Sequence, residues 1–154
     1  MSEPKVYVIT GASRGIGFEL TRQTLARGHR VVAGAREKNI SLELKDLGAQ
    51  EPKRLKVLDL DVQSDVSVAK FAGALGVDRI DVLINNAGIY LEDDKAVSEV
   101  PAARILETLN TNAVGPARVT QSLLPLLRRG TNPRVANITS LMGSIADNAS
   151  GGSV

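Results

Sequence analysis

The chain has 154 residues, enough for one domain with a real core, and its 43% hydrophobic and 23% charged residues are the make-up of a globular protein. A net charge of +2 from scattered lysines and arginines, with only 3% aromatics, argues against a base-stacking nucleic-acid surface. There is no cysteine, which excludes disulfides, thiol catalysis and thiolate metal sites, and no apolar run approaches the length of a membrane span.

Met1-Ser2-Glu3-Pro4-Lys5 carries no hydrophobic leader, so a cytoplasmic location is expected. Lys5 to Thr10 reads as a first strand, apolar almost throughout, as in a parallel sheet buried on both faces. It ends in Gly11-Ala12-Ser13-Arg14-Gly15-Ile16-Gly17, which opens directly into a helix over Gly15 to Arg27. Strand, glycine turn and helix together let backbone N–H groups face a pyrophosphate. Gly11 permits the tight turn, Gly15 lets the backbone approach the ligand, and Gly17 lets the helix lie against the sheet. Gly28 caps the helix. His29 follows in a turn with no partner histidine or acid cluster, which favours solvent exposure over metal binding.

Arg30 to Ala35 is a second strand, and Arg36 stands where a dinucleotide fold chooses between cofactors. An acid there would bond the ribose 2′-hydroxyl of NAD; Ala33, Gly34 and Ala35 offer none, and the guanidinium that follows suits the 2′-phosphate of NADP. Arg14 is placed to reach the same phosphate. NADP is thus the expected cofactor, with NAD as the alternative. A Walker-type Gly-Lys-Ser/Thr is absent, which argues against an NTPase.

Asn39 to Leu47 predicts a short helix ending at Gly48, followed by a polar loop over Gln50 to Lys53 and a third strand over Leu55 to Leu60. Asp61-Val62 comes next. Ser64 or Asp65 caps a helix reaching Leu75, with Val68, Phe71, Ala72 and Leu75 on one face. Ile80 to Ile84 is a fourth strand running into Asn85-Asn86-Ala87-Gly88, and Leu91 to Val100 is an acidic loop. Pro101 starts a long helix through Ile105, Leu106, Leu109 and Asn112 to Arg129, where Arg128-Arg129 suit its negative end. Pro116 lies inside it and brings no N–H to the carbonyl of Asn112. Arg134 to Thr139 is the fifth strand, followed by Ser140-Leu141-Met142-Gly143. The expected fold is α/β: a doubly wound parallel sheet of about five strands in the order 3-2-1-4-5, with helices on both faces.

Thr10-Gly11-x-x-x-Gly15-Ile16-Gly17, then Asn85-Asn86-Ala87-Gly88, then Asn112 in Asn-x-x-Gly-Pro, then Ser140 in Ser-x-x-Gly, resemble in order the motifs of the classical short-chain dehydrogenase/reductase family. The resemblance covers essentially the whole chain and implies one NAD(P)-binding Rossmann domain over residues 1–154. It implies cofactor contacts from Thr10, Gly11, Ser13, Arg14, Gly15, Ile16 and Gly17. Asp61 would hold the adenine amino group, the backbone of Val62 would meet the ring, and Asn86, Ala87 and Gly88 would lie beside the adenine ribose. Asn112 would hold a water of the proton relay on its main-chain carbonyl, and Ser140 would bind the substrate carbonyl oxygen. The activity implied is carbonyl reduction or alcohol oxidation of a small molecule by hydride transfer, in the cytoplasm, with neither nucleic acid nor membrane as a partner.

The family's proton donor is a tyrosine with a lysine four positions on. Tyr7 has Gly11 at that offset and Tyr90 has Asp94, so these 154 residues are expected to lack full activity. The chain reads as an N-terminal portion of the family's fold. An open edge at the fifth strand and an exposed apolar face on the 101–129 helix are expected, with self-association through that helix. A non-catalytic NADP-binding module or remnant is the alternative reading.

Overall fold

The computed structural model describes residues 3–90, 97–140, 143, 144 and 146. Five parallel strands form one sheet: β1 (Val6–Thr10), β2 (Arg30–Ala35), β3 (Leu55–Asp59), β4 (Val82–Asn85) and β5 (Arg134–Asn137). Their spatial order is β3-β2-β1-β4-β5, as expected from the sequence. The order reverses between β1 and β4, which pair from Tyr7–Val82 to Ile9–Ile84. That reversal opens a crevice at the carboxyl ends of the strands.

Helices cover both faces. Val8, Val32 and Leu83 point to one side, under α3 (Asp65–Ala74) and α5 (Gly115–Leu127), where they meet Phe71, Leu75, Val119 and Leu123. Ile9, Val31, Ala33 and Ile84 point to the other, under α1 (Gly15–Ala26) and α2 (Leu42–Gln50), where they meet Leu25 and Leu44. Strands buried on both sides need apolar residues at successive positions, which is why these runs lack alternation.

Several boundaries differ from the sequence reading. The helix expected over 39–47 is a 3-10 turn at Glu37–Asn39 followed by α2, which runs through Gly48 to Gln50. Ser41 starts it by accepting the Leu44 N–H at 3.2 Å. Pro52, beyond the capping residue Glu51, disfavours its continuation. The strand endings contract by one or two residues at Leu60 and after Asn137. The long helix expected from Pro101, with Pro116 depriving the Asn112 carbonyl of its donor, is three pieces: α4 (Ala102–Leu109), a π-helical turn (Asn110–Val114) and α5. The Gly115 N–H bonds the Asn110 carbonyl five residues back, so the helix widens just ahead of Pro116. His29, expected to be solvent-exposed, is half-buried instead and stacks on the half-buried Tyr7 with ring centroids 5.3 Å apart. Of the loop expected over 91–100, residues 91–96 lie outside the described residues, as do Leu141, Met142 and 147–154.

Among the described residues β5 pairs only with β4, and all four of its residues are exposed. Leu106 of α4 is 66% exposed, with Ile105 and Leu109 beside it. The expected open edge and apolar helix face are both present.

At the opposite end of the strands from the crevice, Asp81 is 1% exposed. Its carboxylate accepts the Val6 N–H at 2.8 Å and the Thr131 N–H at 2.7 Å, with Arg79 Nε at 3.4 Å. One buried side chain therefore fixes the entries to β1 and β5 about β4. Burial pushes this carboxyl up, but the two backbone donors and the Arg79 guanidinium outweigh it, and the net shift is downward. Asp81→Asn puts an amide donor against a backbone N–H, and a loss of about 2–3 kcal/mol is expected at neutral pH. The carboxylate's contribution is complete above about pH 4 and fades as pH falls through the depressed folded-state value. Urea unfolding of wild type and variant should therefore converge in acid; a gap that stays constant would show that the carboxylate charge contributes nothing.

Candidate functional site

The crevice at the switch point is a cleft of about 580 Å³, within the range of small-molecule and cofactor sites, about 300–1,000 Å³. Strands β1 to β4 each bring residues to it from their carboxyl ends. Gly11, Ser13 and Arg14 come from the β1–α1 turn, Gly15 and Ile16 from the start of α1, Ala35 from the end of β2, Arg36 and Asn39 from beyond it, and Leu60 to Gln63 from beyond β3. Asn86 to Ile89 come from beyond β4, and Thr111 from the π-helical turn.

The glycine turn is built by two different requirements. Gly11 has φ +65°, and a Cβ there would lie 2.8 Å from the Ala87 Cα. A Cβ on Gly17 would overlap the Gly11 carbonyl oxygen and the Asn86 amide, so this glycine is needed against the loop and the β4 extension rather than against the sheet. Gly15 has φ +55°, but a Cβ there would meet no protein atom within 4 Å. Glycine at 15 thus serves the left-handed backbone and leaves the lip of the cleft open to a close-lying group. No side chain caps the start of α1, and no acid stands in its first turn. Its first N–H groups lack intrahelical acceptors and carry the positive end of the helix dipole, an arrangement that takes an anion.

Thr10 and Asn86 lock the floor. The Asn86 and Ala87 N–H groups both donate to Thr10 Oγ1 at 3.0 Å. The Asn86 amide returns two bonds, to the carbonyls of Thr10 at 3.0 Å and Gly11 at 3.1 Å. Thr10 is 1% exposed, so its hydroxyl serves this lock and does not line the cleft. Ser13 is also committed: its hydroxyl donates to the Asn39 carbonyl and accepts the Ser41 N–H at 2.8 Å. Asp61 Oδ1 accepts the Gln63 N–H at 3.0 Å, an Asx turn that sets the loop after β3.

All the cofactor residues expected from the sequence line the cleft except Thr10 and Gly17, which stand behind it as structure. Asn112 and Ser140 do not line it. The Asn112 side chain accepts the Ile89 N–H at 2.9 Å and donates to the Ile89 carbonyl at 2.8 Å, tying the π-helical turn to the loop after β4. Ser140 is exposed beyond β5, where its carbonyl accepts the Gly143 N–H at 2.9 Å. Asn39, Gln63 and Thr111 line the cleft without having been singled out from the sequence. Asn39 carries no motif of its own; its only sequence signal is its place three residues after Arg36.

Arg14 and Arg36 are the exposed cations on this wall, and Asp61 is the carboxylate that lines it. A helix N-terminus flanked by two guanidiniums, at the switch point of a doubly wound parallel sheet, defines a dinucleotide-binding domain. Comparison with known proteins agrees. The short chain dehydrogenase family model matches residues 5–151, and the chain belongs to that family. The short-chain dehydrogenase/reductase ATR10 of Stachybotrys chlorohalonatus is 38% identical over 151 residues, covering 93% of this chain and 55% of that protein. The (+)-neomenthol dehydrogenase of Arabidopsis thaliana is 32% identical, over 92% of this chain and 55% of that one. A Burkholderia multivorans short-chain dehydrogenase/reductase solved with bound NADP superposes with a TM-score of 0.85 at 30% identity, covering 97% of this chain and 64% of its own. A carbonyl reductase from Pseudomonas aeruginosa gives 0.86 at 35%, covering 97% of this chain and 67% of its own. The chain spans a little over half the length of the curated relatives it matches.

Thr10→Val keeps the shape of the floor but leaves two backbone N–H groups facing a methyl group. A loss of about 2–3 kcal/mol in urea unfolding is expected. A loss below about 0.5 kcal/mol would mean that the lock adds nothing beyond packing.

Proposed function

We propose that the cleft binds NADP(H) in preference to NAD(H), and that residues 1–154 are the cofactor-binding part of an oxidoreductase acting on a small carbonyl or alcohol. The observation that carries this is the charge on the cleft wall: Arg14 and Arg36 line it, and no acid stands at the end of β2. A carboxylate at the end of β2 would favour a free ribose 2′-hydroxyl; a guanidinium there favours a phosphate. The open lip at Gly15 and the uncapped start of α1 suit the pyrophosphate. Asp61 and the backbone at Val62 suit the adenine, and Asn86, Ala87 and Gly88 its ribose. When bound, the nicotinamide supplies or accepts hydride.

In this reading Ser140 orients the substrate carbonyl and the Asn112 carbonyl holds a relay water. The Asn112 side chain is already engaged with Ile89, which fixes the residue and leaves its main chain for that role. Neither Tyr7 nor Tyr90 has a lysine four positions on, so residues 1–154 alone bind cofactor rather than turn it over. That absence also favours the second reading, a dinucleotide-binding module without catalysis. The α4–α5 face is the surface we assign to a homo-oligomer contact, and the cytoplasm is the compartment that a cysteine-free chain suits.

Fluorescence titration of this chain with NADPH and NADH tests the cofactor assignment. Saturable NADPH binding is expected, and Arg36→Ala should weaken it by about tenfold while moving NADH by less than about twofold. Equal affinity of the wild type for the two nucleotides would sink the assignment.

A further inference from the structure

The short segment after β2 is held at both ends. At its start, the Glu37 N–H donates to Asp59 Oδ1 of β3 at 2.7 Å. At its end, Ser13 bonds the Asn39 carbonyl and the Ser41 N–H, and Ser41 Oγ donates back to the Ser13 carbonyl at 2.6 Å. Between the clamps, the Asn39 N–H closes a 3-10 turn on the Arg36 carbonyl at 2.7 Å. The Asn39 side chain then lies against the Arg36 guanidinium. Both guanidinium N–H groups facing the Asn39 amide are donors, which assigns the amide oxygen rather than its nitrogen to that side; so oriented, Oδ1 accepts from Nη2 at 2.9 Å and from Nε at 3.1 Å.

One oxygen held by two donors of a rigid fork fixes the plane of the guanidinium. Because that oxygen belongs to a neutral amide, the fork is oriented while its full charge is kept. No ion pair to Arg36 is present among the described residues. A carboxylate in the same place would hold the guanidinium as well, but would cancel its charge and repel an incoming phosphate.

We infer that Asn39 is a positioning residue for nucleotide selection: it presents Arg36, still fully charged, to a 2′-phosphate in the cleft, and Ser13 fixes Asn39 in turn. The inference rests on the proposed role of Arg36. Its distinctive consequence is that the amide must stay neutral. Asn39→Asp is nearly isosteric and keeps an oxygen facing Arg36, yet it should impair selection more than Asn39→Ala, which only releases the guanidinium.

The probes are adenosine 2′,5′-bisphosphate and adenosine 5′-monophosphate, which differ only in the 2′-phosphate and need no nicotinamide site. Their affinities for wild type, Arg36→Ala, Asn39→Ala and Asn39→Asp would be compared by calorimetry, with circular dichroism to show that each variant is folded. Arg36→Ala should cut the preference for the bisphosphate by about tenfold. Asn39→Ala should cut it by about threefold and Asn39→Asp by about tenfold. An unchanged preference in Asn39→Asp beside a reduced one in Arg36→Ala would overturn the role of Asn39 alone. An unchanged preference in Arg36→Ala, or no preference in the wild type, would overturn the reading of Arg36 and the inference with it. An equal loss for both probes in the Asn39 variants would mark a structural residue and also overturn it.

Discussion

The cleft depends on the mutual hold of Thr10 and Asn86. Two parallel strands that lead away to opposite faces of a sheet leave their last N–H and carbonyl groups without sheet partners, and buried backbone groups must be paired. At the ends of β1 and β4 that pairing is done by side chains. Thr10 takes two N–H groups from the β4 extension, and the Asn86 amide takes two carbonyls from the β1 extension. The glycine turn is thereby drawn against Ala87 so closely that a methyl group at Gly11 or Gly17 has no room. The open backbone at Gly15 and the uncapped α1 terminus follow from that arrangement.

The rest of the cleft wall is fixed by contacts of the same kind, each from a polar side chain to a neighbouring loop. Ser13 holds the segment after β2, Asp61 holds its own turn after β3, and Asn112 holds Ile89 after β4. Arg118 on α5 reaches the Val62 carbonyl at 2.6 Å and also bonds Asp65 and Asn110, joining the loop after β3 to the π-helical turn. The apolar core sets the order of the strands, and this polar layer above it sets the outline of the cleft. Membership in the short chain dehydrogenase family fits such a division, since one sheet can carry many cleft walls.

The strands and the glycine turn were legible because each apolar run is bounded by glycine, proline or charge, and because burial on both faces removes alternation. The cofactor residues were legible from motif spacing, but their division of labour was not. Thr10 and Ser13 look like ligands in the sequence, yet their hydroxyls hold partners 76 and 26 residues away. The same distance hid Asp81, an unremarked acid at the start of the fourth apolar run whose partner at Val6 is 75 residues back. The α2 boundary was missed because Ser41 outweighs Gly48: a capped start and Pro52 beyond the end settle the length, and one glycine within is tolerated. Pro116 announced an irregular helix, but sequence does not say whether a lost donor gives a kink or, as here, a widened turn.

The Thr10–Asn86 hold also dictates when the molecule can acquire its shape. Every strand here pairs in parallel across an intervening crossover, and the central β1–β4 pair joins Val8 to Leu83. A chain leaving the ribosome can form β1, α1 and β2 early, but the glycine turn gains its partners only after Ala87 has emerged. Until then the carbonyls of Thr10 and Gly11 lack the Asn86 amide that holds them. Maturation of the cleft is therefore a late, long-range event, and high contact order makes such events slow. The residues that bind are among the first synthesised, and their geometry is completed by residues made much later.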